Sequence, residues 1–300
     1  MRTRGRSTQA LAGLGFGLLA YGIWGLFPLF WPLLEPAGPV EIVAHRSLWS
    51  LVFLSLVITI TRGWATVRAT LVEPRTRWLL LGASLLVACN WTGYIWAVIS
   101  GHVVEASLGY FINPLVSVLI GVLALKERLR GAQWLAVSLA GAAVAVLTLG
   151  YGHPPWLALL LASTFATYGL LKKLANVAAV PSLTVESLFL APVALGFLLV
   201  MGLDGHFDDS PGQAALFAVS GVVTALPLLA FGAAAIRIPL SSLGLLQYLT
   251  PVLQFLLGIF VFDETMSGLA WIGFVMIWIS LTVFSVDAFR HAKAPPSVDL

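Results

Sequence analysis

Apolar residues run through this chain in stretches of about twenty, each closed by Pro, Gly or a cluster of charge, and the stretches return at nearly regular intervals. A helix rises 1.5 Å per residue, so about 20 residues cross a hydrocarbon core of ~30 Å. The pattern predicts ten such spans: approximately Ala10 to Leu33, Pro39 to Thr61, Arg77 to Ile99, Val104 to Leu125, Ala132 to Leu149, Pro155 to Leu174, Ser182 to Gly202, Gln213 to Ala235, Ser241 to Phe262 and Leu269 to Ala288. Strands are excluded. An open sheet leaves backbone groups unpaired in lipid, and a barrel needs short alternating segments instead of long apolar runs. The expected fold class is all-α and integral to the membrane.

Composition agrees, with 59% hydrophobic and 10% charged residues among 300 and a mean hydropathy of +0.97. Too few charged side chains exist to face water on every side. The start, MRTRGRSTQA, resembles a signal peptide, but no small-residue cleavage site follows and the apolar run continues through Trp31, so it reads as a retained first helix. The single Cys89 cannot form an intrachain disulfide and is expected as a small core residue.

Charge then orients the spans. With the N-terminus inside, Arg2, Arg4, Arg6, Arg62, Arg68, Arg75, Arg77, Lys126, Arg128, Arg130, Lys172, Lys173, Arg237, Arg290 and Lys293 fall at cytoplasmic ends, 15 of the 16 basic residues. The opposite loops, EPAGP, SGHV, YGHPP, DGHFDDSPG and FDETMSG, hold no Lys or Arg. Both termini are expected in the cytoplasm. The net charge of +3 reflects this topology and gives no reason to expect nucleic acid.

The two halves repeat. Pro114, Gly121, Glu127, Gly131 and Trp134 match Pro251, Gly258, Glu264, Gly268 and Trp271 at one offset of 137 positions, and Glu41 resembles Glu186 more softly. The expected organisation is two five-helix repeats, residues 1–150 and 151–300. An odd helix count makes them enter the membrane from opposite sides, an arrangement that suits alternating access in a transporter.

Candidate chemistry lies where polar residues interrupt the spans. Asn113-Pro114 and Thr250-Pro251 occupy equivalent mid-membrane positions. Proline has no amide hydrogen and clashes with the carbonyl four residues earlier, so Pro114 and Pro251 are expected to break their helices and free the carbonyls of Tyr110 and Gln247. Asn113, Gln247, Tyr248, Tyr110, Asn90 and Trp24 form the candidate substrate cavity; the competing reading is helix kinking and interhelical packing. In VEIVAHRSLWS, Glu41, His45 and Trp49 share one helix face and Arg46 the adjoining one. Glu41 is expected to bond His45 or Arg46. Arg46 sits about 10 Å into the membrane by the helix rise, so it either snorkels or faces the interior as a gate or anion-recognising group with Glu41 and His45.

No Asp or Glu falls in mid-span, which argues against proton coupling unless His45 carries the proton. His102, His153 and His206 with Asp204, Asp208 and Asp209 match no metal-ligand spacing and read as solvated loop residues, so neither metal nor cofactor is expected.

AYGIWGLFPLFWPLL, EIVAHRSLWS, NWTGYIWAV, EASLGYFINPLVSVLIGVLALKERLRGAQWLAV and LGLLQYLTPVLQFLLGIFVFDE resemble the RarD proteins, in the EamA branch of the drug/metabolite transporter superfamily. The similarity covers nearly the whole chain. It implies a ten-helix permease of the bacterial inner membrane with two inverted EamA repeats and a central cavity. RarD proteins are commonly called chloramphenicol-sensitive, a label that leaves the physiological substrate open. Phe30 to Pro32 departs from the pattern, since similar proteins tend to carry a Lys after the aromatic residue, and a recognition role for that lysine does not carry over. The expected function is export or facilitated passage of a small polar or amphipathic metabolite or drug. The alternatives are a non-transporting sensor derived from a transporter, and an intramembrane enzyme, for which HExxH, GxSxG and paired aspartates are missing. Partners implied are the small-molecule substrate and the lipid bilayer, with a homodimer left open.

Overall fold

The structure, a computed structural model, describes residues 2–125, 129–235, 237–238, 242 and 245–292. Among these the regular elements are all helical: α1 (Arg2–Leu26), α2 (Pro39–Ile60), α3 (Trp64–Val72), α4 (Pro74–Ile99), α5 (Val103–Leu125), α6 (Gly131–Tyr151), α7 (Trp156–Ala175), α8 (Ala179–Met201), α9 (Pro211–Ala235), α10 (Leu249–Phe260) and α11 (Gly268–Ala292), joined by short 3-10 turns. Nine of the described helices are long and apolar enough to span a membrane, and α10 is a shorter apolar helix of 12 residues. Side chains such as Leu149, Leu199, Val200 and Phe260 stand fully out from the bundle, as lipid permits and water does not.

Three boundaries differ from those expected, each for a local reason. The first span ends at Leu26, because Pro28 and Pro32 turn FPLFWPLL into two 3-10 turns, Phe27–Leu29 and Trp31–Leu34. The segment between the second and third spans carries α3, which buries Thr70 and packs Val67 with Ile58, Leu80 and Val185. In the region expected as a ninth span from Ser241 to Phe262, Ser242, Leu245 and Leu246 are helical, Gln247 and Tyr248 form a turn, and α10 starts at Leu249; Ser241 itself lies outside the described residues. Pro39 and Pro74 occupy helix starts, where a missing amide costs nothing, and Glu73 caps α4 by accepting from the amides of Arg75 and Thr76.

The helices pack by a rule that sequence order hides. The most extensive interfaces pair α6 with α11, α7 with α4 and α5, α2 with α8 and α9, α1 with α9 and α10, and α5 with α10. Every one joins a helix from residues 1–150 to one from residues 151–300. Exchanging α1 with α7, α2 with α8, α4 with α9, α5 with α10 and α6 with α11 maps these interfaces onto one another, with α4 against α8 the mate of α2 against α9. Those mates are unequal: α2 meets α9 along far more of its length. Gly221 permits this approach, since a Cβ there would lie 2.3 Å from the Trp49 backbone carbon.

The loops that close the arginine-poor end are cross-linked. Gln213 Nε2 donates to the Leu34 carbonyl (2.9 Å), Ser267 Oγ to the Gly150 carbonyl (3.3 Å), and the Glu264 carboxylate accepts from the Val103 and Val104 amides at the start of α5. Its repeat partner Glu127 lies outside the described residues. Burial raises the Glu264 carboxyl above its ordinary value, opposed by those two amide bonds. Cys89 is exposed on the bundle surface, which corrects its expected place in the core; α4 turns that face outward.

Candidate functional site

Helices α2, α4 and α5 and a 3-10 turn converge on Arg46. The side chain belongs to α2, two turns in from Pro39, and is 2% exposed. It faces inward, so it does not snorkel. Its guanidinium carbon lies 3.9 Å from the centroid of the Trp91 ring of α4 and 4.8 Å from that of Trp31. Each such contact contributes roughly 0.5–2 kcal/mol, the upper end where water is excluded. Trp31, at the start of the 3-10 turn Trp31–Leu34, supplies one of the two faces. The hydroxyls of Tyr94 and Tyr110 lie close enough to Arg46 to act on it electrostatically, and their rings meet edge to face at 5.6 Å. Among the described residues no carboxylate pairs with Arg46, and its Nε is buried without a hydrogen-bond partner.

Gln254 completes this group and was not singled out from the sequence. Its Nε2 donates to the Trp24 carbonyl (3.1 Å) and to the Tyr94 hydroxyl (2.9 Å), while Oε1 is buried with no partner. A backbone carbonyl accepts only, which fixes the amide's orientation. One sequence signal existed: Gln254 lies four residues after Thr250, on the same face of α10, and the Thr250 hydroxyl donates to the Tyr21 carbonyl of α1 at 2.9 Å. Asn90 behaves similarly. Its Nδ2 donates to the Leu161 carbonyl (2.9 Å) and Thr164 Oγ1 (3.0 Å), tying α4 to α7, and its Oδ1 is left without a partner.

The structure therefore gathers Trp24, Tyr110, Arg46 and Trp91 with Trp31 in one cluster, and brings Gln254 to its edge. Tyr248 packs elsewhere, with the cluster built around Phe111, Phe255 and Phe274, and its hydroxyl lies 3.5 Å from Ser285 Oγ. Asn113 keeps a buried Oδ1 without a partner. Gln247 is half-buried in the turn before α10. The expected helix breaks take two different forms. α5 continues through Pro114, whereas Pro251 lies in the first turn of α10, where its amide would have no intrahelical partner.

Glu41 bonds neither His45 nor Arg46. Its carboxylate accepts from the His206 amide (2.7 Å) and sits 2.8 Å from His206 Nδ1, closing the loop before α9 onto α2. The side-chain bond to Glu41 raises the His206 imidazole above its ordinary value, so this loop histidine is a structural latch as well as a solvent-facing group. His45 instead stacks on Phe207 at 5.0 Å and tilts against Phe217 at 4.3 Å. With Trp49 and Phe207 it lines a cavity of about 250 Å³. A wider vestibule of about 780 Å³ opens at the arginine-poor end between Trp96, His102, Glu105, Tyr151 and Glu264. Asn113, Gln247 and Tyr248 line neither of these two. At the opposite end Glu186, 1% exposed, accepts from Lys172, Ser182 (2.9 Å) and Tyr168 (3.1 Å).

Comparison with known proteins places the chain among transporters. Residues 11–149 match the model of the EamA-like transporter family. A RarD protein of Streptomyces exfoliatus is 52% identical over 94% of this chain and 90% of its own length. An uncharacterized transporter of Pseudomonas aeruginosa is 44% identical over 95% and 96%, and the RarD protein of Escherichia coli 38% over 93% and 96%. A crystal structure at 20% identity superposes with a TM-score of 0.58, covering 96% of this chain and 99% of the other, which speaks for the fold alone.

Proposed function

Because the chain belongs to the RarD proteins of the EamA-like transporter family, a group of multi-pass membrane transporters, we propose that it is a ten-helix permease moving a small polar or amphipathic molecule by alternating access. On this reading it resides in the bacterial inner membrane with both termini cytoplasmic. The observation that carries it is the exchange rule among helix interfaces, together with the inequality between mates, α2 with α9 exceeding α4 with α8 and α5 with α7 exceeding α1 with α10. Two interfaces related by an inverted repeat form the two gates of one pathway, and exchanging which of them is tight turns the pathway from one side to the other. Since every large interface joins the two halves, the moving bodies are bundles drawn from both halves. Asn113, Gln247 and Tyr248 then belong to the lining exposed as the bundles separate.

Single cysteines at 113 or 247 in a Cys89→Ser background test this. A membrane-impermeant thiol reagent applied to one side and then the other should modify each position from one side preferentially. Protection from both sides, in protein that still melts cooperatively, would remove these residues from the pathway.

A further inference from the structure

The permease reading leaves the substrate open and gives Arg46 no chemical task. Four of the carboxylates that face into the bundle are committed to other groups. Glu41 holds His206, Glu186 holds Lys172, Glu105 accepts from the Leu157 amide, and Glu264 caps α5. Arg46, five residues along α2 from Glu41, is left as a buried cation between two indole rings. Such a charge is costly to keep and persists in membranes where it meets a ligand or a pathway.

The unpartnered polar atoms beside it point to the kind of ligand. Arg46 Nε and Trp31 Nε1 are both buried donors without acceptors, and the guanidinium lies against the Trp31 ring. Two unused donors and one positive charge match an anion that brings acceptor oxygens and a single negative charge. The guanidinium fork fits a planar carboxylate in two parallel bonds. Around this point the wall is aromatic, from Trp31, Trp91, Tyr94 and Tyr110, which suits a flat apolar body behind the carboxylate. With Arg46 at 2% exposure, a ligand reaches it only when α2 separates from a neighbouring helix, the motion that alternating access supplies.

We infer that Arg46 and Trp31 form the recognition site for the carboxylate of a monoanionic substrate carrying a flat apolar or aromatic body. This assignment rests on the permease reading and goes beyond it by naming a substrate class and a residue pair.

The test uses the purified full-length protein, in detergent for binding and in proteoliposomes for counterflow. Two acids, indole-3-acetate and phenylacetate, are set against their neutral amides and the cation tryptamine. The acids should raise the melting temperature and exchange across the vesicle wall, with apparent affinities at least tenfold better than the amides and tryptamine. Arg46→Gln should lose at least tenfold for the acids, with Arg46→Lys recovering part. Trp31→Phe keeps a ring but removes the indole donor, so it should weaken acid binding several-fold while the unliganded melting temperature stays close to wild type. It keeps the proposal open to refutation should Arg46→Gln fail to fold. Amides or tryptamine moving as well as the acids would overturn the anion assignment and leave the permease standing. Acids that bind through Arg46 without crossing the membrane would support the site and overturn the permease reading. Folded protein that binds none of the acids would overturn the proposal.

Discussion

Glu41 of α2 and Glu186 of α8 are both almost wholly buried, yet they do different work. Glu41, in the first turn of α2, reaches across to a loop and holds the amide and ring of His206. Glu186, within α8, is held by the ammonium of Lys172 and the hydroxyls of Ser182 and Tyr168, all from α7 and α8 themselves. One carboxylate clasps a loop and the other knits two helices. A histidine titrates near neutrality and a lysine does not. The two ends of the bundle are thus closed by clasps of different permanence, the arginine-poor end by one that pH can loosen.

Lys172→Met should break the comparison most severely. It leaves Glu186 buried with only hydroxyl donors, and removing one partner of a buried pair costs about 3 kcal/mol. The melting temperature in detergent should fall by several degrees. Adding Glu186→Gln should recover most of that loss, because the stranded charge is gone; failure to recover would mean that Lys172 contributes chiefly by its stem packing. Next comes Glu41→Gln, which keeps an acceptor for the His206 amide and sacrifices the charge, a loss of about 1 kcal/mol. If it destabilises as much as Lys172→Met, the two clasps are equivalent and the distinction falls.

The smallest effect is the most specific. The His206 imidazole is raised in the folded protein by its bond to Glu41, so the stability it adds is fully present below its unfolded value of about 6.5 and is lost as pH rises through the folded value. Melting temperature should therefore decline modestly across that window in the wild type and stay flatter in His206→Gln. A pH profile unchanged by this substitution would assign the decline to another group.

The sequence made the membrane character plain, because lipid imposes length and apolarity on each span separately and local composition reports both. Most of the described helices fall within a few residues of the apolar runs. The exceptions arose where backbone chemistry overrode hydropathy. FPLFWPLL is apolar throughout but ends α1 through its two prolines, and the charged stretch after α2 forms α3 because Val67 and Thr70 find a buried surface. In the candidate site, an arginine at that depth was visible as an anomaly, and so was its choice between facing lipid and facing inward. Its companions were not. Trp31 and Trp91 stand 15 and 45 positions away, and nothing in local spacing joins them to Arg46.

Glu41 makes the same point from the other direction, since helical spacing offered it His45 and Arg46, yet the structure gives it His206, 165 positions away. Proximity along a helix limits which neighbours are within reach, while the bond formed depends on which donor tertiary packing brings to the carboxylate. By itself the sequence determined the apolar spans, the repeat and the family, all properties of local composition or of ordered strings of residues. Tertiary structure alone decided the interleaving of the halves, the partners of Glu41 and Glu186, and the aromatic enclosure of Arg46. These depend on contacts between helices distant in the chain, and such contacts are selected by shape and by polar satisfaction over the whole bundle.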